Sequence, residues 1–279
     1  MKSFTFIPEG TTDCSVRARI HGMDESGSVS EKLYPAVLIC PGGGYDHISE
    51  RESDPVADVF YAAGYNTFIL QYSVEENARN LQPLCQLANT MAQIRKNKEE
   101  WHTLPDKIAV CGFSAGGHLA ASLGTLYQDE KFLRVFGRQD HIRPDAMILC
   151  YPVITSDEHA HERSLRKVSG DEKGGSEYQW FGLDRHVTSQ TPPTFLWHTA
   201  TDGTVPVENS LKMAAALSAA HVPLELHIFP EGKHGMSVCT SEVGTESKYN
   251  ARWVEWCITW LNQVFGANTC SGGFYSEIS

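Results

Sequence analysis

Long apolar runs and closely spaced cysteines are both missing from this 279-residue sequence. No apolar stretch approaches the ~18 residues that a membrane-spanning helix needs, and the N-terminal residues are too polar for a signal peptide. None of the eight cysteines lies three residues from another, which argues against zinc knuckles and Cys-x-x-Cys redox pairs. We therefore expect reduced thiols and a cytoplasmic location. A disulfide between Cys257 and Cys270 stays open as an alternative.

Basic residues are also scarce: the sequence has 23 Lys and Arg residues against 34 Asp and Glu residues, which gives a net charge of −11. A chain this acidic, with no basic stripe, is a poor partner for nucleic acids or anionic membranes. The 41% of apolar and 20% of charged residues are typical of a globular protein and exclude disorder. The length fits a single domain over residues 1–279, with a homo-oligomer left open.

The hydrophobic pattern alternates between strands and helices. Alternating apolar residues around Phe4 and Val16 predict a half-buried hairpin, and the continuous apolar run at 36–40 predicts a strand buried on both faces. Asp54 and Pro55 predict a helix start, as cap and first-turn proline. The other predicted strands are 66–72, 107–111, 146–150, 194–197 and 224–229, and the predicted helices are 54–63, 81–98, 118–126, 207–220 and 247–264. This rhythm predicts the α/β class: a doubly wound, mostly parallel sheet with helices on both faces.

Residues 155–190 interrupt the rhythm with a polar stretch that ends in aromatic side chains. Such an insertion between two core strands predicts a lid over a site, and a solvated surface excursion is the alternative. His159 and His161 lie there beside acidic residues and superficially resemble metal ligands. No matching ligand pair appears at helix-face spacing, so we expect a charged loop and no metal.

The strongest chemical signal is the segment Gly-Phe-Ser-Ala-Gly-Gly at 112–117. It follows a predicted strand and precedes a predicted helix, which is the context of a Gly-x-Ser-x-Gly nucleophile elbow. The turn is so tight that side chains at the glycine positions would collide, and the serine backbone is strained. We therefore predict Ser114 as an exposed nucleophile.

A second glycine-rich segment, Pro-Gly-Gly-Gly-Tyr at 41–45, follows the strand at 36–40. In acyl transfer the carbonyl oxygen gains negative charge, which backbone N–H groups can stabilise. Gly43 or Gly44, together with Ala115, would supply such an oxyanion hole. A plain glycine-rich turn is the alternative.

An acid and a base follow in later strand-end loops. Asp202 comes after the strand at 194–197 and His234 after the strand at 224–229, in the chain order Ser…Asp…His. Serine is a weak nucleophile until an imidazole takes its proton, and a carboxylate fixes the tautomer of that imidazole. His118 lies one turn after the serine and is expected to pack on the helix, and His198 is expected in the core.

These segments resemble the α/β-hydrolase superfamily. The resemblance is closest to the small bacterial esterases related to acetyl-xylan esterases and to the catalytic domains of prolyl-oligopeptidase-type enzymes. The matching segments are 40–45 (Cys-Pro-Gly-Gly-Gly-Tyr), 112–120 (Gly-Phe-Ser-Ala-Gly-Gly-His-Leu-Ala), 198–206 (His-Thr-Ala-Thr-Asp-Gly-Thr-Val-Pro) and 232–236 (Gly-Lys-His-Gly-Met). The resemblance implies the α/β-hydrolase fold, with Ser114 as nucleophile, His234 as base and Asp202 as its partner.

The same resemblance implies the oxyanion hole of Gly43 or Gly44 with Ala115. Many relatives carry a histidine where this chain has Pro41, a departure that puts the geometry of this loop in doubt.

Three side chains are candidate substrate contacts: Tyr45 in the oxyanion loop, Arg51 after it and Trp180 at the end of the insertion. Trp180 would stack on a sugar ring or close a lid core. Ser49 and Glu52 match the Ser-x-x-Glu pattern of a capping box, which favours a structural role for the glutamates.

The resulting hypothesis is a serine esterase that removes short acyl groups, acetyl above all, from small carbohydrates such as xylo-oligosaccharides, with no cofactor or metal. The alternatives are an aminopeptidase-like or acyltransferase serine hydrolase, and a non-catalytic binding protein on the same scaffold.

Overall fold

A single sheet organises the protein. The computed structural model describes residues 1–22, 32–137 and 141–266. Within these ranges eight strands lie in the spatial order β1-β2-β4-β3-β5-β6-β7-β8. Their bounds are Lys2–Phe6 (β1), Ser15–Ile20 (β2), Tyr34–Cys40 (β3), Asn66–Gln71 (β4), Thr103–Phe113 (β5), Ala146–Cys150 (β6), Thr194–Thr199 (β7) and Leu224–Phe229 (β8).

The sheet is parallel from β4 to β8 and antiparallel at its beginning. β1 pairs with β2 as the predicted hairpin, with Phe4 opposite Ala18, and β2 pairs antiparallel with β4. The apolar run at 36–40 lies in β3, between β4 and β5, where its residues are fully buried. A strand that is covered on both faces needs continuous rather than alternating hydrophobicity. The predicted hairpin of β1 and β2 and the predicted buried strand β3 are therefore both confirmed.

Helices cover both faces of the sheet. Their bounds are Asp54–Ala62 (α1), Gln82–Lys96 (α2), Ala115–Leu126 (α3), Glu130–Phe136 (α4), Glu162–Ser169 (α5), Ser176–Trp180 (α6), Glu208–Ala219 (α7) and Arg252–Val264 (α8). The apolar residues of α1 and α8 pack into one hydrophobic layer, and those of α2, α3 and α7 pack into the layer on the opposite face. The predicted doubly wound α/β sheet is thereby confirmed.

The helices differ from the predictions in several places; for example, the helix predicted over 247–264 begins only at Arg252. Asp54 is the first residue of α1 rather than its cap; Ser53 takes the cap position and makes no side-chain cap hydrogen bond. The Asp54 carboxylate instead forms ion pairs with Arg17 and Arg19 of β2. Helix α4 was not predicted, although Asp129 caps it by accepting hydrogen bonds from two backbone amides of its first turn.

The insertion at 155–190 contains α5, α6 and a short 3-10 turn at Leu183–His186, between β6 and β7. Its helix α5 lies beside the loop that follows β3, where Arg163 and Lys167 both form ion pairs with Asp46. Movement of this segment as a lid stays a prediction. Among the described helices, none has both the length and the hydrophobicity that a bilayer span requires.

Candidate active site

Ser114 stands on a strained turn between β5 and α3. Its backbone has φ 53° and ψ −117°, a conformation that costs a non-glycine residue free energy. The flanking structure holds it there: its N–H donates to the carbonyl of Cys150 (3.0 Å), and its own carbonyl accepts from Val153 (3.1 Å). The serine is therefore fixed at the carboxyl end of β5, as the elbow motif predicts.

The glycines of this turn allow β3 and α3 to approach each other. A Cβ atom at Gly116 would collide with the carbonyl oxygens of Cys40 and Pro41. Any side chain there would push α3 away from the end of β3. This contact keeps the glycine-rich loop after β3 directly beside Ser114.

The structure brings the predicted base and acid to this serine. His234 Nε2 lies 2.8 Å from Ser114 Oγ, and His234 Nδ1 lies 2.7 Å from Asp202 Oδ2. Asp202 is 9% exposed and Ser114 is 7% exposed, so the prediction of an exposed serine is wrong: the surrounding loops cover it. The three side chains form one hydrogen-bonded chain although 120 residues separate Ser114 from His234.

Asp202 accepts more hydrogen bonds than the one from His234. Its Oδ1 accepts from the backbone amides of Thr204 (2.9 Å) and Val205 (3.0 Å), and His198 Nε2 lies 3.3 Å from Oδ2. Burial alone would raise the pKa of this carboxyl, but the hydrogen bonds from His198 and His234 outweigh it and hold the pKa of Asp202 well below its usual range. Asp202 is therefore ionised throughout the neutral range and able to orient His234.

His198 lies in the core, as predicted, since it is fully buried on β7. Its contact with Asp202 was not predicted from the sequence. The four-residue spacing between the two was the available signal, but the turn that folds Asp202 back towards the strand cannot be read from that spacing.

The backbone amides predicted for the oxyanion hole have no hydrogen-bond partner in the part of the chain that the structure describes. Among the described residues, the N–H groups of Gly43, Gly44 and Ala115 donate no hydrogen bond, while neighbouring Gly42 donates to Glu52 Oε2 (2.9 Å). Unpaired backbone amides beside a serine hydroxyl suit a group that gains negative charge during a reaction.

Tyr45 and His118 lie beneath this loop. Tyr45 is fully buried, and its hydroxyl lies 2.9 Å from His118 Nδ1, so the ring supports the loop instead of facing a substrate. His118 is also fully buried on α3, as expected, with Nε2 3.1 Å from the carbonyl of Phe181. Burial lowers the pKa of His118 to about 4, against the opposing effect of the hydrogen bond to Phe181.

The other two candidate substrate contacts, Arg51 and Trp180, differ in their surroundings. The Arg51 guanidinium packs against Gly235, next to His234, and is exposed at the rim of the site. Trp180 packs against Phe181 and His186, with the Lys131 ammonium 4.2 Å from its ring centroid. These ring contacts make Trp180 part of the insertion's own packing.

The capping box predicted at Ser49 and Glu52 is wrong. The Ser49 side chain makes no cap hydrogen bond, and the Glu52 side chain turns inward to Gly42 and Tyr151. The reason is burial: Glu52 is 2% exposed and cannot reach back along the surface of its own turn. Tyr151 was not singled out in the sequence because no motif surrounds it.

The histidines of the insertion have partners of their own. The backbone amide of His159 donates to Asp157 Oδ1 (3.0 Å), and Asp157 also pairs with Lys212. His161 Nδ1 lies 2.8 Å from Ser164 Oγ. The Cys270 end of the alternative disulfide lies outside the described residues, and Cys257 is a free, buried thiol.

Known structures share this fold. The acetyl ester-xyloside bifunctional hydrolase from Caldicellulosiruptor lactoaceticus superposes with a TM-score of 0.78 at 35% identity, over 93% of this chain and 91% of that one. MGS-M1, an α/β-hydrolase enzyme from a deep-sea metagenome library, gives 0.77 at 30% identity, over 95% and 98%. The fold is therefore that of an α/β-hydrolase, and the resemblance to esterases of this superfamily is confirmed.

The sequence comparisons narrow the class. A model of the BD-FAE family matches residues 26–217, and the chain belongs to this family. An acetylxylan esterase from Xylanibacter ruminicola is 28% identical over 235 residues, which are 82% of this chain and 45% of that protein. The chain spans between a third and a half of the length of the curated relatives it matches.

The lowered pKa of His118 predicts a loss of stability in mild acid. The unfolded chain binds a proton here near pH 6.5, whereas the folded protein does so only near pH 4. The unfolded state therefore holds more protons between these values, and the stabilisation present above pH 6.5 is lost as the pH falls. We expect His118 to account for roughly 2 kcal/mol of lost unfolding free energy between pH 7 and pH 5.

Urea unfolding of the wild type and His118→Gln at both pH values measures this loss. The variant should lose roughly 2 kcal/mol less than the wild type over this interval. His221→Gln, at an exposed histidine, should follow the wild type. Equal losses in wild type and His118→Gln would contradict the assignment.

Proposed function

We propose that this protein is a serine esterase that removes short acyl groups, acetyl above all, from small carbohydrates such as xylo-oligosaccharides. The observation that carries the proposal is the hydrogen-bonded chain from Ser114 through His234 to the ionised Asp202, beside three unpartnered amides. A nucleophile, a base, an orienting acid and donors for an oxyanion are the parts that acyl transfer needs.

In the acylation step, His234 Nε2 takes the proton from Ser114 Oγ as this oxygen bonds to the carbonyl carbon of the ester. The carbonyl oxygen becomes an oxyanion, for which Gly43 or Gly44 and Ala115 offer N–H groups. Asp202 stabilises the imidazolium that forms on His234. The imidazolium then gives its proton to the sugar oxygen, the bond from that oxygen to the carbonyl carbon breaks, and the acyl group stays on Ser114.

Water completes the cycle by the same route. His234 takes a proton from water as the water oxygen bonds to the acyl carbon, and a second oxyanion forms at the same amides. The proton returns to Ser114 Oγ as the acyl bond breaks. The products are a short carboxylic acid and a free sugar hydroxyl, and no step requires a metal or an organic cofactor.

The relatives support the carbohydrate side of the proposal. The related proteins named above are an acetylxylan esterase and an acetyl ester-xyloside hydrolase, and the latter matches this chain over nearly its whole length. Arg51, exposed beside the His234 loop, is the candidate contact for the polar hydroxyls of a sugar. A cytoplasmic location fits the seven cysteines of the described residues, all of which are free thiols.

Replacing the nucleophile tests the mechanism. Ser114→Ala should lower kcat for 4-nitrophenyl acetate by about 10⁴-fold or more, because no other group can form the acyl-enzyme. Ser122→Ala is the matched control: Ser122 is buried on α3, the helix that follows Ser114, and its hydroxyl donates to the carbonyl of His118. It should retain activity. Full activity in Ser114→Ala would contradict the mechanism.

Acetate release from acetylated xylo-oligosaccharides tests the substrate class. We expect release by the wild type and none by Ser114→Ala. Aminoacyl amides serve as the comparison substrates for an aminopeptidase-like activity. Turnover of the amides without acetate release would overturn the carbohydrate assignment and leave the acyl-transfer chemistry in place.

A further inference from the structure

A buried carboxylate lies behind the oxyanion loop. Glu52 is 2% exposed, and no Lys, Arg or His of the described residues forms an ion pair with it. Placing a carboxylate in the interior is costly unless hydrogen bonds satisfy its oxygens. Each of its two oxygens accepts one such bond, and the two donors belong to different parts of the candidate site.

One donor belongs to the glycine-rich loop. The N–H of Gly42 donates to Glu52 Oε2 at 2.9 Å. A Cβ atom at Gly42 would lie 2.6 Å from that oxygen and 3.1 Å from Ser114 Cβ. The carboxylate therefore holds the loop at the point where its backbone lies beside the serine. The loop also closes back on the same turn, because the N–H of Ser49 donates to the carbonyl of Gly42 (3.0 Å).

The other donor leads to the loop that carries His234. The hydroxyl of Tyr151 donates to Glu52 Oε1 (2.7 Å) and accepts from the N–H of Ser237 (2.8 Å), three residues after His234. The Tyr151 ring meets the His234 ring edge-on, with centroids 5.1 Å apart. Burial and, as a smaller effect, the nearby Glu52 carboxylate raise the pKa of Tyr151 well above its usual value. The hydroxyl therefore keeps its proton and remains a donor.

The backbone of Tyr151 is itself strained to reach this place. Its φ of 37° lies in the left-handed region, which costs a residue with a Cβ atom free energy. Its N–H donates to the carbonyl of Trp197 (2.8 Å), which holds the strained residue at the end of β6. The ring therefore stands between the carboxylate and the imidazole.

We propose that Glu52 is a positioning residue, which couples the oxyanion loop to the His234 loop through the hydroxyl of Tyr151. The role rests on the proposed esterase function. The chain from the Gly42 amide through Glu52 and Tyr151 to the Ser237 amide fixes the donors of the oxyanion hole relative to the base. Two separate hydrogen-bond donors point at one side chain, and only a carboxylate offers each of them an acceptor oxygen.

The variants Glu52→Gln and Tyr151→Phe test the coupling. Glutamine keeps the shape but has one acceptor oxygen, so one of the two links loses its geometry. Phenylalanine keeps the ring against His234 and removes both hydrogen bonds of the hydroxyl. With 4-nitrophenyl acetate we expect kcat per titrated active site to fall about 10- to 100-fold in each variant, because small misplacements of catalytic groups are that costly. KM should stay within about threefold of the wild type, since the substrate itself is not contacted.

The double variant and a neighbouring glutamate provide the controls. Because both residues act through one chain, Glu52→Gln combined with Tyr151→Phe should be hardly slower than the slower single variant. Glu50→Gln changes an exposed glutamate in the same turn and should keep the wild-type kcat.

The outcomes separate this role from the esterase function. If the wild type turns over the substrate and Glu52→Gln has the same kcat, the positioning role alone is overturned. Multiplying effects in the double variant would overturn the coupling. If Glu52→Gln does not fold, Tyr151→Phe decides: a wild-type kcat there overturns the role. Absence of turnover in the wild type would overturn the esterase function, and the positioning role with it.

Discussion

The constraint on which the proposed machinery depends is the shared direction of five strands. The carboxyl ends of β3, β5, β6, β7 and β8 meet at one edge of the sheet, because parallel neighbours end on the same side. The free loop amides follow β3, Ser114 follows β5, and Tyr151 follows β6. Asp202 and His234 follow β7 and β8. Side chains far apart in sequence therefore meet within hydrogen-bond distance.

Burial and hydrogen bonding give the ionisable groups around this edge different protonation states. Asp202 is held charged by the hydrogen bonds of His198 and His234, whereas burial lowers the pKa of His118 and holds its side chain neutral. Neutral His118 contacts the hydroxyl of Tyr45 beside the glycine-rich loop, and Glu52 accepts a hydrogen bond from the Gly42 amide of the same loop. The environment of the Ser114–His234 pair thus keeps Asp202 ionised and His118 neutral near pH 7.

The parts that short-range patterns encode were predictable from the sequence. The buried strand at 36–40, the elbow around Ser114 and the order of Asp202 and His234 all depend on local motifs and on which residues end a strand. The contacts of Glu52 and Tyr151 depend instead on side chains brought together from different loops, 99 residues apart. For this reason the pattern at 49–52 predicted a local cap, while the side chain satisfies a distant amide. Asp54 was misassigned for a similar reason, since its carboxylate is taken by arginines of β2. The substrate contacts were the least predictable: the buried state of Tyr45 depends on His118, which meets it only in the folded protein.

The central claim is that Ser114 is a nucleophile activated by its contact with His234. Incubation with a fluorophosphonate probe, followed by intact mass measurement and peptide mapping, tests this most directly, because the probe bonds covalently to activated serines. We predict one adduct per chain, located on Ser114 and absent from the Ser114→Ala variant. A folded wild-type protein that acquires no adduct, or one that is labelled elsewhere, would contradict it.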